Sequence, residues 1–166
     1  MDTNQRLAKY DRLVPRYTSY PTAPHFSNAI TPADYAAWLR ALSENAPLSL
    51  YLHVPFCASL CLFCACHTTV VNQRAPLEAY ANTILMEIDL IARTIGRRQQ
   101  VKHIHWGGGT PTSLPPTAMR DIMTRLRAFF DVAADAEVAV EIAPRTWSSA
   151  SVDAMPEMGA SRAAVG

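Results

Sequence analysis

From residue 48 onward the apolar pattern switches repeatedly between a period of two and a helical period, and this alternation admits one class of fold. Leu48, Leu50, Leu52 and Val54 alternate with Ser49, Tyr51 and His53, the period of a half-buried strand. Residues 76–95 then read as a helix: Pro76 opens it, Gly96 closes it, and Ala81, Ile84, Ile88, Ile91 and Ile95 mark its buried stripe. A second strand, VKHIHW at 101–106, runs into Gly107-Gly108-Gly109. Pro115 or Pro116 opens a second helix with Met119, Ile122, Met123, Leu126 and Phe129 inward. EVAVEI at 137–142 is a third strand, a weak helix damaged by Pro156 follows at 148–158, and residues 162–166 begin a fourth strand. Strands alternating with helices pair in parallel through right-handed crossovers, so the fold class is α/β. Such folds gather ligands at the C-terminal ends of their strands. A cysteine loop follows strand one, the triple glycine follows strand two, and Glu141 ends strand three.

Residues 1–47 read as an N-terminal extension wrapped on a core. PRYTSYPTAPHF at 15–26 is rich in Pro and Tyr, and its prolines disfavour both helix and central strand. A short helix follows, capped by Thr31, with Pro32 at its first position and Asp34 close to completing a capping box. Tyr35, Trp38, Leu39 and Leu42 form one apolar stripe on it.

Composition narrows the function classes. Hydrophobic residues make up 49 % and charged residues 17 %, enough to build a core. With 15 basic and 14 acidic residues the net charge is +1, which supplies no electrostatic drive toward nucleic acid or an anionic membrane. No apolar run is long enough to span a bilayer, and the first residues lack the apolar core of a secretory signal. The expected compartment is the reducing cytoplasm.

All four cysteines, Cys57, Cys61, Cys64 and Cys66, lie within ten residues. A disulfide framework spreads its cysteines to join distant segments, so clustering points to metal ligation. Cluster iron prefers thiolate ligands converging from a curled loop. Three ligands on a four-iron cluster leave one iron open, as catalytic metal sites do. A closed zinc site using Cys66 or His67 as the fourth ligand fits the same loop. Apolar Phe56, Leu60, Leu62 and Phe63 are expected to shield the site from water.

The run Gly107-Gly108-Gly109-Thr110-Pro111-Thr112 lets the backbone approach a ligand closely and offers free N–H groups, although a plain turn uses the same residues. Glu141 shares a strand face with Ala139 and Ala143, opposite Val138, Val140 and Ile142. An inward carboxylate there requires a partner, and a structural ion pair would serve as well as a ligand. Tyr51 and His53 share the inward face of strand one; His53 and His103 also suit hydrogen-bonded core histidines.

The spacing C-x3-C-x2-C, with Phe63 just before the last of the three cysteines, resembles the signature of radical S-adenosylmethionine enzymes, as does GGGTP at 107–111. PRYTSYPT at 15–22, SLYLHVPFC at 49–57, Cys66 and HWGGGTPT at 105–112 resemble, more narrowly, the oxygen-independent coproporphyrinogen III dehydrogenases. A related group of haem chaperones is similar around the cysteines but usually shows Asp-Phe after the third one and lacks PRYTSYPT. The resemblance implies a [4Fe–4S] cluster on Cys57, Cys61 and Cys64, with Cys66 not a ligand. It implies that Tyr51, Gly108 and Glu141 contact S-adenosylmethionine and that Phe63, Gly109 and Thr110 contact a second molecule of it. The implied reaction converts two propionates of coproporphyrinogen III to vinyls, giving protoporphyrinogen IX in haem biosynthesis. An unidentified electron donor and a monomeric protein belong to the same implication.

Residues 48–166 are accordingly expected to form an incomplete (β/α) barrel of three to four strands. Three departures stand out. Ala143 replaces an expected acidic or amide residue, Pro156 falls within a helix, where it costs about 3 kcal/mol in an interior, and the family is far longer. The expectation is a truncated barrel that is inactive alone.

Overall fold

The computed structural model describes residues 2–11, 20–146 and 148–165. It divides into two compact units, Met1–Tyr35 and Ala36–Gly166. In the first unit, helix α1 (Thr3–Tyr10) begins with a capping box that the sequence reading did not anticipate: Gln5 N donates to Asp2 Oδ1 at 2.8 Å and Asp2 N to Gln5 Oε1 at 3.1 Å. The part of PRYTSYPTAPHF from residue 20 onward contains only a 3₁₀ turn at Ala23–His25; residues 15–19 lie outside the described residues. Helix α2 (Pro32–Arg40) opens with the expected reciprocal cap, in which Thr31 N donates to Asp34 Oδ2 at 2.8 Å and Asp34 N to Thr31 Oγ1 at 3.3 Å. The same contacts hold the Asp34 carboxyl below its usual range.

The second unit is built on a parallel sheet of four strands: β1 (Leu48–Val54), β4 (Gln100–Gly108), β5 (Asp131–Ile142) and β6 (Arg162–Val165), side by side in that order. Two short strands, β2 (Phe56–Cys57) and β3 (Thr69–Val70), pair in parallel across the base of the cysteine loop. The crossovers are α3 (Arg74–Ile95), α4 (Pro116–Phe129) and α5 (Ser149–Met158). Leu52, Val54, Ile104, Trp106, Val138, Val140 and Ile142 meet the apolar stripes of these helices in one core, the face that strand alternation assigns to the helices.

Several boundaries and burials differ from the expectation. Helix α3 starts at Arg74 rather than Pro76, which sits in the first turn, where an N–H has no intrahelical acceptor. Its buried stripe carries Leu77 and Ala92, and Ile91 is only partly buried. Gly96 caps it at φ 74°. At the end of α4 it is Phe130, not Phe129, that is fully buried, because the chain leaves the helix there toward β5. Strand β5 begins six residues early: Val132 pairs with Val101 and Glu137 with His103, so residues 133–136 bulge opposite Lys102. Pro156 does not break α5. It lies in the last turn, beyond which Gly159 at φ 76° closes the helix through bonds to Met155 and Pro156. In the part of α2 that belongs to the second unit, from Ala36 on, Leu39 reaches that unit's core while Trp38 stays exposed. Among the described residues no helix is long and apolar enough to cross a membrane.

Gln99 is fully buried just before β4. Its Nε2 donates to the carbonyls of Ser43, Glu44 and Ala46 at 2.7, 3.2 and 2.5 Å, and its Oε1 accepts from Arg97 at 2.9 Å. It thus fixes the turn that feeds β1. Gln99→Leu strands these carbonyls and is expected to lower stability by about 3 kcal/mol in urea unfolding; a change below about 1 kcal/mol would show that water replaces the amide.

Candidate functional site

The end of β1 and the glycine loop are stitched together by backbone. Gly109 N donates to Val54 O and Thr110 N to Phe56 O, both at 2.8 Å. The cysteine loop is closed at its base by Thr69 N to Pro55 O at 2.8 Å and Val71 N to Cys57 O at 3.0 Å. Cys57 is consequently buried, and its Sγ stands 3.3 Å from the hydroxyls of both Thr68 and Thr110. Cys61, Cys64 and Cys66 are exposed on the loop, where a turn runs from Cys61 O to Cys64 N at 3.2 Å.

All four cysteines line one cavity of about 390 Å³, together with Phe63, Gly108, Gly109, Thr110, Glu141 and Arg145. Among the described residues, no three His, Cys, Asp or Glu side chains stand close enough to hold a metal ion as they are. The donor set nevertheless suits cluster iron: the four thiols of one loop line a common space, and one is held by two hydroxyls. The expected apolar shield is not formed. Leu62 is 99 % and Phe63 98 % exposed, and of the four shielding residues only Phe56 packs against the core, edge-on to Tyr80.

Glu141 has the partners that its inward position demands. Oε1 lies 3.0 Å from His105 Nε2, and Oε2 accepts from Gly108 N at 3.3 Å. Tyr51 stacks on His105 with ring centroids 5.7 Å apart, and its hydroxyl lies 3.1 Å from His53 Nδ1. Burial, then the Glu141 charge, then Cys66 raise the Tyr51 phenol above its usual range, so it stays protonated near neutrality and can donate. Desolvation of the Cys66 sulfur, followed by the nearby Cys64, Glu141 and Cys57, raises that thiol as well. Tyr51 and Glu141 therefore share the sheet face that carries the cysteine loop. His103 is exposed rather than a core histidine. His105, Thr68 and Arg145 escaped the sequence reading. His105 was legible in principle, because it follows two residues after His103 on one strand face.

Glycine is required where the segments cross. Gly108 has φ 117°, and a Cβ there would lie 2.8 Å from Val54 O. A Cβ on Gly109 would lie 2.5 Å from Thr68 Oγ1, 2.7 Å from Phe56 O and 2.9 Å from Cys57 Sγ. Gly109→Ala is expected to cost about 2 kcal/mol in urea unfolding and to reduce iron uptake on reconstitution. Gly96→Ala, which meets open space at φ 74°, is expected to cost about 1 kcal/mol and to leave iron uptake unchanged. Equal iron uptake by both variants would contradict the assignment.

Comparison with known proteins places this geometry. The model of the radical SAM superfamily matches residues 51–166. An oxygen-independent coproporphyrinogen III oxidase from Bradyrhizobium diazoefficiens is 52 % identical over 153 residues, 92 % of this chain and 34 % of that protein. One of the same name from Mannheimia haemolytica is 42 % identical over 138 residues, 83 % of this chain and 93 % of that protein. The solved structure of coproporphyrinogen III oxidase (HemN) from Escherichia coli, a radical SAM enzyme, superposes with TM-score 0.85 at 36 % identity, covering 99 % of this chain and 36 % of that one. The chain spans about a third of the length of the Bradyrhizobium and Escherichia proteins. The parallel α/β sheet is thus part of the barrel of that family, and the chain belongs to the radical SAM superfamily, among the oxygen-independent coproporphyrinogen III oxidases.

Proposed function

We propose that residues 48–166 are the cofactor-binding part of an enzyme that converts two propionate side chains of coproporphyrinogen III to vinyls, giving protoporphyrinogen IX. The observation that carries this reading is the convergence of Cys57, Cys61, Cys64, Gly108, Gly109, Thr110 and Glu141 on one cavity at the C-terminal ends of β1, β4 and β5. In this reading Cys57, Cys61 and Cys64 hold a [4Fe–4S] cluster and Cys66 stays outside the ligand set. When bound, the cluster and S-adenosylmethionine supply one-electron cleavage of a C–S bond and a carbon radical able to remove hydrogen from a propionate.

The chain's own residues do the positioning. Thr68 and Thr110 orient the Cys57 sulfur through their hydroxyls. Glu141, held by His105 and Gly108 N, keeps a carboxylate aimed at the cavity, where it can accept from an amino or hydroxyl group of S-adenosylmethionine. The protonated Tyr51 phenol stands beside it as a donor. Phe63, fully projecting from the loop, offers an aromatic face, and with Gly109 and Thr110 it suits a second molecule of the same cofactor. The reading includes an external one-electron donor, a single copy of the chain and a reducing compartment, since thiolate ligands must stay reduced.

Anaerobic reconstitution with iron and sulfide tests it. The expected product is brown, with about four irons per chain. Cys57→Ala, Cys61→Ala and Cys64→Ala are each expected to lose the cluster, while Cys66→Ala keeps most of its iron. Equal iron loss in all four variants, or a colourless protein holding one zinc, would overturn the assignment.

A further inference from the structure

Arg145 sits in the 3₁₀ turn Pro144–Thr146 that leaves β5, and its Nη2 donates to Cys61 Sγ at 3.2 Å. The two residues are 84 apart in sequence, so the contact is made by the fold. Arg145 is also the sole cationic side chain among the described residues that line the cysteine cavity, where Glu141 is the sole carboxylate.

We propose that Arg145 is a positioning residue for the iron–sulfur cluster: it holds the Cys61 sulfur and favours the reduced state of the cluster. The inference rests on the reading of Cys57, Cys61 and Cys64 as the ligands. Hydrogen bonds to ligand sulfurs and nearby charge are among the levers that set iron–sulfur potentials. A guanidinium is charged at every accessible pH, so this bond always carries its positive charge to the sulfur. Reduction moves one electron from an external one-electron donor onto the cluster and makes it more negative by one charge. A unit charge at this distance near solvent changes such an equilibrium constant by about tenfold. A neutral amide at position 145 could still donate to the sulfur but would not supply this field, and a lysine would supply the field without the planar fork.

The midpoint potential of the reconstituted chain, read by electron paramagnetic resonance during a dithionite titration, tests the inference. Arg145→Gln is expected to lower the equilibrium constant for reduction about tenfold, a negative shift of about 59 mV for one electron. Arg145→Lys is expected to stay within about threefold of the parent, because the charge remains. Loss of iron in Arg145→Gln with retention in Arg145→Lys would also support the role of the charge. Equal potentials in all three proteins at equal iron content would overturn it. So would iron loss in both variants, which assigns Arg145 to structure, or weaker S-adenosylmethionine binding at an unchanged potential, which assigns it to cofactor contact. Failure of the parent chain itself to take up iron would overturn the ligand reading, and this inference with it.

Discussion

The site depends on a pair of backbone hydrogen bonds that carry the β1–β4 ladder past the end of the sheet. Gly109 N to Val54 O and Thr110 N to Phe56 O clamp the glycine loop against the first residues of the cysteine loop. The cysteine side and the glycine side of the cavity take their positions from that clamp. Cys57 is buried beneath it, Thr110 reaches the Cys57 sulfur because of it, and at Gly108 and Gly109 the backbone of residues 54–56 passes too close for a Cβ. Backbone bonds suit this task, since they position the loop without spending the side chains that face the cavity.

A second layer of organisation lies on the inward face of the sheet. Tyr51, His53, His105 and Glu141 are polar groups that would be costly without partners, and they partner one another across β1, β4 and β5. The parallel register sets Tyr51 beside His105 and His105 beside Ala139, which brings Glu141, two residues further along β5, within reach of the histidine. On the opposite face Leu52, Val54, Ile104, Trp106, Val138, Val140 and Ile142 pack in one core with the apolar stripes of α3, α4 and α5. One sheet thus separates a stable core from a polar working surface, the division expected where ligands meet strand ends.

Remote contacts support this division. Gln99 and Arg97 secure the entry to β1, and Arg98 donates to carbonyls at the end of α4, those of Arg127 and Ala128 in its last turn and of the capping residue Phe130, at 3.0, 2.5 and 2.9 Å. A cation at a helix C-terminus also complements the helix dipole. Three consecutive polar residues between α3 and β4 therefore anchor two separate parts of the chain.

The sequence by itself determined the alternation of strands and helices, the parallel sheet, the faces of β1 and of the end of β5 that enter the core, and the convergence of cysteines, glycines and Glu141 at the strand ends. Those features follow from local periodicity and from the direction of parallel strands, both written in short stretches of residues. It also carried the signature spacing of Cys57, Cys61 and Cys64, because a curled loop keeps its ligands local. Only the tertiary structure decided which partners those residues meet. The bulge at residues 133–136 shifts the β4–β5 register, and no local pattern announces it. His105 as the partner of Glu141, Thr68 beside Cys57, and Arg145 on Cys61 join residues 36, 11 and 84 positions apart. The exposure of Leu62 and Phe63 was likewise beyond periodicity, because a loop's apolar side chains are buried only where the fold brings a surface over them.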